Sequence, residues 1–496
     1  MLGVWTTPWG RRLTLAGLGA ATALGQAPTD LWFVSVLALA AVFAIYTRSV
    51  TRWSAFATGW WAGLGYFAVA LRWIVEPFLV DVATYGWMAP FAIVLMSGGA
   101  AVFWGLATAA SHRVAPRIGI GFVASLTLAE VARSLMFTGF PWALLGHIWI
   151  ETPLAQTAAL WGPHGLTLIT LIVSVSLARL FERKWAWVAP PALAVVAALL
   201  FVPPSQPRDA EAPMIRIVQP NIPQEEKWDL AKRDSNFTEL LSLTALHSDG
   251  LDLIVWPESA VTELLEFAGA EIETISDMAG GTPVVTGIQR RTDISLYHNS
   301  LILIDQGGHV SDPYDKRHLV PFGEYFPGGE LAARLGLRGF AASQGFGFTS
   351  GSNTSLLHLP EIGLARPLIC YEGIFAEEIA LSEDRPRVLL LITNDAWFGQ
   401  GAGPEQHLAQ ARLRSIEQGL PMIRSANTGI SAMIDAHGRV VSRLALNEKG
   451  VVDANLPPAR PATIYSQVGD IPVLGAIMLL LFLAFAVSRR ISIDPA

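Results

Sequence analysis

The sequence predicts a polytopic α-helical membrane bundle of about eight spans joined to a water-soluble α/β domain. Hydrophobic residues make up 52% of the 496 residues and charged residues only 15%, so much of the apolar surface needs lipid to cover it. The apolar residues are concentrated before Pro203 and in a last run at 471–487, and the stretch between them has an ordinary globular composition. The sequence therefore predicts three regions: a bundle of about seven spans at 1–203, a domain at 204–470, and a final helix with its tail at 471–496.

Apolar segments of roughly 20 residues, the length that crosses a bilayer, define the predicted spans. The first segment is the least distinct because it is short and rich in glycine. The segments lie near 10–27, 31–47, 54–74, 87–111, 118–136, 157–179, 185–202 and 471–488.

Lysine and arginine cluster in every second loop between these segments, and the other loops carry almost none. Because cationic loops stay in the cytoplasm, the alternation predicts that both termini are cytoplasmic and that the large domain is on the outer side. The net charge of -7 offers no cationic field for a phosphate backbone, so no nucleic-acid partner is expected. The cations that set the orientation are Arg11, Arg12, Arg48, Arg52, Arg113, Arg117, Arg179, Arg183, Lys184, Arg489 and Arg490.

Two features interrupt the apolar character of the predicted bundle. Glu130 and Arg133 are three residues apart in the fifth span, which puts them on one helix face where they can pair. The pair predicts either a polar site facing the bundle or a structural ion pair near the interface. The stretch GFPWALLGH at 139–147 combines aromatic residues with Pro and Gly, which favours a re-entrant or interfacial loop over another helix.

Short β-rich runs that end in polar residues alternate with helix-like stretches between 204 and 470. This alternation predicts an α/β or layered αββα domain. Sites in open α/β sheets favour the carboxyl ends of strands, so the residues that follow these runs are candidates for chemistry. The runs lie at 214–221, 251–259, 283–289, 299–306, 366–373 and 388–398.

Three residues at such positions carry reactive groups. Glu258 follows an apolar run and a proline, where desolvation raises a carboxyl pKa toward that of a general base. Lys316 lies beyond a predicted hairpin and is suited to stabilise an oxyanion. Cys370, the only cysteine, precedes a helix-like stretch that favours the thiolate. Taken one at a time, the three residues are also consistent with a solvated Glu, a surface Lys and a small buried Cys. Together they are the groups that nucleophilic acyl transfer needs.

The surrounding motifs resemble those of the nitrilase superfamily, which uses a Glu-Lys-Cys triad. They are WPES around Glu258, YDKRHLVPFGEYFP around Lys316 and ICYEGIF around Cys370. With the nitrilase-like domain inserted before the last span, the chain resembles bacterial apolipoprotein N-acyltransferases. Four further stretches agree with this resemblance: VQPNIPQEEKW (218–228), NDAWFG (394–399), PEQHLAQARLRSIEQGLPMIRSANTGIS (404–431) and TIYSQVGD (463–470).

The resemblance implies an αββα sandwich on the periplasmic side of a bacterial inner membrane and a ping-pong reaction. Glu258 takes the thiol proton, Cys370 attacks an acyl ester of a phospholipid, and Lys316 helps to hold the oxyanion. The α-amine of an apolipoprotein, whose N-terminal cysteine bears diacylglycerol, then attacks the acyl-thioester. The implied partners are this phospholipid donor, this apolipoprotein acceptor and membrane lipids. The resemblance implies no cofactor and no metal, and the protein is expected to act as a monomer.

Six further residues receive roles from the same resemblance or from their position beside the motifs. Glu324, Tyr371 and Glu372 match family positions and are expected to support the geometry of the oxyanion and thiolate. The aromatic residues expected to bind or gate acyl chains, with core filling as the alternative, are Trp228, Trp397 and Phe398.

Two other classes of protein compete with this interpretation. A membrane-tethered nitrilase or amidase that hydrolyses small amides would use the same triad, but a tether needs one span rather than eight. A transporter with an outer sensing domain predicts more polar groups inside the spans than Glu130 and Arg133. The ten histidines form no H-E-x-x-H motif and no Cys/His cluster, which argues against metal chemistry.

Overall fold

Most of the chain has a described structure. The computed structural model describes residues 7–113, 119–200, 202, 211–246, 250–293, 296–327, 347–352, 354–379 and 384–493. Arg117, residue 118 at the start of one predicted span, residue 201 inside another, and the predicted domain boundary at 203–204 lie outside these residues.

Each predicted span overlaps a helix. Among the described residues, the helices are α1 Pro8–Ala23, α2 Trp32–Tyr46, α3 Arg52–Ala70, α4 Val82–Tyr85, α5 Ala89–Ser111, α6 Ile120–Leu135, α7 Ala158–Phe181, α8 Ala189–Leu200, α9 Gln224–Lys227, α10 Arg233–Ala245, α11 Gly269–Met278, α12 Ala376–Ile379, α13 Ala402–Gln418, α14 Ile464–Val468 and α15 Ile471–Ile493.

The structure supports fewer spans than the sequence predicts. Four helical segments of the described chain are long and apolar enough to cross a membrane, and a fifth qualifies if the bent pair Arg52–Ala70 and Arg72–Leu79 is one span. Helix α2 has 15 residues, about 22 Å, which is less than the roughly 30 Å hydrocarbon core. The multi-pass helical character is therefore confirmed, and the number eight stays a prediction. The four segments are Val82–Ser111, Ile120–Thr138, Pro153–Phe181 and Ile471–Arg489.

Small residues let α1 and α3 approach closely. A Cβ added at Gly19 would lie 1.9 Å from the Ala62 carbonyl oxygen, and one at Gly65 would lie 1.9 Å from that of Ala16. Lipid offers apolar helices no hydrophobic reason to associate, so close van der Waals packing of this kind holds membrane helices together.

The Glu130–Arg133 pair of α6 anchors the loop that the sequence predicts at 139–147. Arg133 Nη2 lies 2.7 Å from Glu130 Oε2, and its Nη1 donates to the carbonyl oxygens of Phe140 and, at 2.9 Å, Trp142. The indole of Trp104 in α5 donates to the other Glu130 oxygen at 2.8 Å. A guanidinium thus satisfies loop carbonyls that have no helical partner, which is how irregular backbone is tolerated inside a bundle.

The junction before α15 is held by a second buried polar group. His164 Nδ1 lies 3.0 Å from Asp470 Oδ2, and its Nε2 lies 3.0 Å from the hydroxyl of Ser134 in α6. The imidazole therefore links the start of α7, α6 and the residue that precedes α15. Such buried polar links fix the register of packed helices.

The chain divides into two compact units. One comprises Met1–Pro204, Gly401–Leu413 and Ala462–Ala496, and the other comprises Ser205–Gln400 and Arg414–Pro461.

The second unit contains two sheets. Their described strands are β1 Met214–Gln219, β2 Leu253–Val255, β3 Val261–Leu264, β4 Val284–Asp293, β5 Leu296–Ile304, β6 Tyr314–Asp315, β7 Leu357–Leu359, β8 Gly363–Ile369, β9 Val388–Thr393, β10 Met422–Ala426, β11 Ala432–Ile434, β12 Val440–Arg443 and β13 Gly450–Asn455. The order is β13-β1-β2-β4-β5-β6 in the first sheet, with β3 on β4, and β12-β11-β10-β9-β8-β7 in the second. Strands β1, β2 and β4 run parallel, as do β8, β9 and β10.

The two sheets face each other at their parallel centres. The hydroxyl of Ser425 in β10 lies 3.0 Å from the carbonyl oxygen of Val218 in β1 and 3.2 Å from that of Val255 in β2. Helices α10 and α11 pack Leu240 and Ile275 against the first sheet. Strand β9 is buried at every residue, as expected for a strand covered on both faces. The predicted layered α/β domain is therefore confirmed.

Candidate active site

Glu258 lies just beyond the end of β2, where the chain turns sharply. Its Oε1 accepts a hydrogen bond from Asn299 Nδ2 at 2.7 Å, and its Oε2 accepts one from the backbone N–H of Asn394 at 2.8 Å. Glu258 is only 7% exposed. Gly287 of β4 passes so close that a Cβ there would lie 2.7 Å from the Glu258 Cα, so only glycine fits. The carboxylate is thus held in one orientation.

Lys316 follows the short strand β6 and is almost completely buried. Its Nζ donates to Glu324 Oε1 at 2.8 Å and lies 3.7 Å from Glu258 Oε1. Burial lowers the pKa of Lys316, but the two carboxylates outweigh burial, and the net effect raises the pKa. Lys316 is therefore an ammonium at neutral pH.

Cys370 directly follows β8 and has a positive φ of 50°, a conformation that residues other than glycine rarely adopt. The thiol is buried and interacts electrostatically with Glu258 and Lys316. Burial is the largest cause that raises its pKa, Glu258 adds to it, and the ammonium of Lys316 only partly offsets them. The sequence-based expectation that a following helix favours the thiolate is therefore wrong, because a 3₁₀ turn at Cys370–Ile374 and the four-residue α12 follow, and desolvation dominates.

The supporting residues named from the sequence differ in position. Glu324 Oε1 accepts hydrogen bonds from Lys316 Nζ and Asn299 Nδ2, so Glu324 contacts the candidate triad directly. Glu372 instead accepts from Tyr314, from the Arg317 N–H and from the Ile369 N–H, which ties the ends of β6 and β8 together. Burial raises the pKa of Glu372 despite these donors. The Tyr371 ring packs edge-on against His318 and Phe375.

The three candidate acyl-binding aromatic residues lie in two loops. Trp228 directly follows α9 and is half-buried. Trp397 is half-buried and Phe398 is buried in the 3₁₀ turn Asp395–Phe398, which follows β9.

Sequence reasoning missed several polar residues of the site. Asn299 bridges Glu258 and Glu324, with 2.7 and 3.1 Å from its Nδ2 to their Oε1 atoms. Lys227 donates to the Glu258 carbonyl oxygen at 2.8 Å, and Gln224 accepts from the Asn394 side chain at 2.7 Å. The only available signal was that Gln224 and Lys227 lie inside the motif VQPNIPQEEKW, and Asn299 sits within a β-rich run with no distinguishing pattern.

The described residues contain no group of three or more His, Cys, Asp or Glu side chains that could hold a metal ion. What this part of the chain does contain is a neutral thiol beside a fixed carboxylate and a permanent ammonium. The carboxylate can accept the thiol proton, and the ammonium can stabilise the negative charge that develops on an attacked carbonyl.

Two family models match the chain. "Apolipoprotein N-acyltransferase N-terminal domain" matches residues 18–176, and "Carbon-nitrogen hydrolase" matches residues 214–464. Among solved structures, an amidase of the nitrilase superfamily from Nesterenkonia AN1 is 17% identical with a TM-score of 0.40, covering 54% of this chain and 98% of that one. A carbon-nitrogen hydrolase from Helicobacter pylori G27 is 16% identical with a TM-score of 0.39, covering 57% and 97%.

Relatives named apolipoprotein N-acyltransferase match nearly the full length. The protein from Bradyrhizobium diazoefficiens is 37% identical, covering 99% of this chain and 97% of that one. The proteins from Rhodopseudomonas palustris and Caulobacter vibrioides are 38% and 36% identical, covering 96% and 98% of this chain and 95% and 96% of their own. Identity of this level over both the helical region and the α/β domain shows that the chain belongs to the apolipoprotein N-acyltransferase family.

Proposed function

We propose that this protein transfers an acyl chain from a phospholipid to the α-amine of the N-terminal diacylglyceryl-cysteine of apolipoproteins, through an acyl-thioester on Cys370. The observation that carries the proposal is the buried group of Glu258, Lys316 and Cys370 at the ends of β2, β6 and β8. Membership of the family supplies the two substrates.

The first half-reaction moves the acyl group onto sulfur. Glu258 accepts the thiol proton as the sulfur attacks the ester carbonyl, and Lys316 donates to the oxyanion of the tetrahedral intermediate. The C–O bond then breaks, the proton on Glu258 passes to the leaving oxygen, and a lysophospholipid departs. Because the thiol is neutral at rest, attack depends on a base rather than on a preformed thiolate.

The second half-reaction passes the acyl group to nitrogen. The neutral α-amine attacks the thioester, Glu258 takes a proton from the nitrogen, and the C–S bond breaks. The proton returns to sulfur and an amide is released, so the thiol and the carboxylate regain their starting states. The thioester conserves the acyl-transfer potential of the ester, so the sequence of steps needs no nucleotide.

Other residues receive supporting roles in this proposal. Glu324 holds Lys316 in place, and Glu372 fixes the turn that presents Cys370. Tyr371 supports the oxyanion geometry as the residue after the nucleophile, and the aromatic side chains of Trp228, Trp397 and Phe398 bind or gate acyl chains.

The proposed setting is the inner membrane of a bacterium. The apolar segments support the proposal of eight spans and of domain boundaries at 1–203, 204–470 and 471–496. The alternating cationic loops support the proposal that both termini are cytoplasmic and the catalytic domain is periplasmic. The protein is proposed to act as a monomer without nucleic acid.

The acyl-thioester gives a direct test, because Cys370 is the only thiol in the chain. The purified protein is incubated with phospholipid and its intact mass is measured before and after hydroxylamine treatment. We expect a mass increase of one acyl group that hydroxylamine removes, and loss of that adduct when a diacylglyceryl-lipopeptide acceptor is added.

Two variants serve as controls for this experiment. Cys370→Ala is expected to give no adduct, and Glu258→Gln is expected to slow adduct formation about 10²- to 10⁴-fold, the usual contribution of a general base. Release of ammonia from small amides without a lipid adduct would identify a hydrolase instead, and no adduct with any donor would refute the proposal.

A further inference from the structure

Lys227 is a buried ammonium that the proposed chemistry does not use. The residue is 4% exposed. Among the described residues, its Nζ makes one hydrogen bond, to the Glu258 carbonyl oxygen at 2.8 Å, and no ion pair. Burying a cation without a carboxylate partner costs free energy, so a chain that only needed to fold would gain by placing an apolar residue here. Such a residue is a candidate for a functional role.

Helix α9 contacts the proposed general base Glu258 directly through Lys227 and indirectly through Gln224. Lys227 holds the main-chain carbonyl of Glu258, while Gln224 Oε1 accepts from the Asn394 side chain at 2.7 Å. Asn394 in turn donates its backbone N–H to Glu258 Oε2 at 2.8 Å. The four-residue helix thus contacts both the backbone and, through one intermediary, the carboxylate of the proposed general base.

Two other carboxylates near the thiol are each paired with a cation. Glu324 is paired with Lys316 at 2.8 Å, and Asp395 is paired with Arg424 at 2.5 Å. The cation nearest to Glu258 among these pairs is Lys316, whose Nζ lies 3.7 Å from Glu258 Oε1 and is closer to Glu324. Lys227, which interacts electrostatically with both Glu258 and Cys370, supplies the missing positive charge.

The charge balance must hold through the reaction. When the thiol proton moves to Glu258, the negative charge moves from the carboxylate to the sulfur and then to the carbonyl oxygen, and the total does not change. When Lys227 is protonated, the group formed by Glu258, Glu324, Lys316, Cys370 and Lys227 has no net charge at any stage. Without Lys227, the same group carries one uncompensated negative charge in a buried site.

We infer that Lys227 is a positioning residue of the general base, one that holds Glu258 by its carbonyl oxygen and provides the counter-charge for the Glu258–Cys370 pair during proton transfer and oxyanion formation. This inference rests on the proposed function, because it requires Cys370 to be the acylated group. It concerns the rate of acylation and not the affinity for lipid.

The test compares Lys227→Met, which keeps the length of the side chain but not its charge, with Lys227→Arg, which keeps the charge. The exposed Lys232→Met, five residues away, is the matched control. The single-turnover rate of adduct formation on Cys370 is measured by intact mass between pH 6 and 10, at several phospholipid concentrations. Melting temperatures are recorded for each variant.

Lys227→Met is expected to slow acylation about 100-fold with the lipid concentration for half-maximal rate unchanged, as for the loss of one electrostatic contact of an oxyanion site. Its melting temperature is expected to fall, because removal of the ammonium leaves one uncompensated negative charge in the buried site. Lys227→Arg should recover most of the rate, and Lys232→Met should match the parent.

The pH profile separates this role from a purely structural one. Burial lowers the pKa of Lys227 to about 8, against the opposing effects of Glu258 and Cys370. The parent should therefore lose rate as pH rises through about 8, where the ammonium loses its proton, and Lys227→Arg should keep its rate to pH 10 because arginine stays charged. Glu258 and Cys370 interact electrostatically with Lys227, and the charged residues that line the same cavity as Lys227 are Arg233, Asp234, Glu263 and Glu271.

The outcomes are distinct. No adduct on the parent protein would refute the proposed function itself. If the parent forms the adduct and Lys227→Met is acylated at the parent rate, only the role of Lys227 is overturned. The same holds if Lys227→Met and Lys227→Arg lose rate equally and both melt at a lower temperature than the parent. If Lys227→Met does not fold, a parent rate that is flat from pH 7 to 10 overturns the inference.

Discussion

Asn299 shows how a single amide can organise a charged site. Its Nδ2 donates to Glu258 and to Glu324, two buried carboxylates that would otherwise repel each other. Its Oδ1 is buried and has no hydrogen-bond partner among the described residues.

Asn299→Asp is expected to lower the rate of Cys370 acylation about 100-fold, because it places a third carboxylate beside Glu258 and Glu324 and removes the donor that joins them. The rate is measured by the same mass assay. Asn447→Asp, at an exposed asparagine of the same domain, is the control and should leave the rate unchanged. An Asn299→Asp protein that acylates at the parent rate would contradict this account of the site.

The thiol at residue 370 shows the limit of local reasoning. Its position after an apolar run and before polar residues identified it as a candidate, but the expected thiolate depended on a helix that proved to be a short 3₁₀ turn. Burial by the two facing sheets sets the pKa of the thiol, and no neighbouring sequence pattern encodes that burial.

At the level of elements, the carboxyl ends of strands bring the site together. Glu258 follows β2, Cys370 follows β8 and Asn394 follows β9, which are parallel strands in the centres of the two sheets. The alternation of β-rich and helix-like runs predicted this placement for Glu258 and Cys370, but Asn394 was not among the predicted site residues. Lys227 was not predicted, because α9 has only four residues and its contacts depend on how the loops after β2 and β9 pack.

Helix α6 carries the polar pair that the sequence left with two interpretations. Its contacts with Phe140, Trp142 and Trp104 favour the structural one, since Arg133 satisfies loop carbonyls and Glu130 satisfies both Arg133 and an indole N–H.

Arg133→Met is expected to destabilise the protein by about 3 to 5 kcal/mol, because it leaves the Glu130 carboxylate buried without its partner. The double variant Glu130→Gln/Arg133→Met should lose less than the sum of the single changes, and a double-mutant cycle from denaturation in detergent measures the difference. Full stability combined with lost acyl transfer would instead support a functional site at this pair.

At the scale of the whole molecule, the helices agree with the predicted segments in position but not all of them in length. Membrane crossing depends on thickness as well as on apolar composition, so 15-residue helices such as α2 do not qualify by themselves. The orientation rests on the alternating cationic loops alone.

Cysteine labelling tests this orientation, because Cys370→Ala removes the only native thiol. In that background, Ala231→Cys in the α/β domain should react with a membrane-impermeant maleimide in spheroplasts, where the outer membrane has been opened. Val50→Cys, exposed between α2 and α3, should react only after the inner membrane is breached. The reverse pattern would place the domain in the cytoplasm.

The sequence by itself determined the family, the membrane-bound character, the α/β class of the domain and the identity of the three candidate reactive residues. These properties are carried by composition, by periodicity and by short contiguous motifs. Only the tertiary structure decided which side chains surround the thiol, that it is neutral at rest, and that Lys227 and Asn299 hold the base. The physical reason is that burial and charge balance are sums over groups distant in the chain, and no single stretch of sequence contains them.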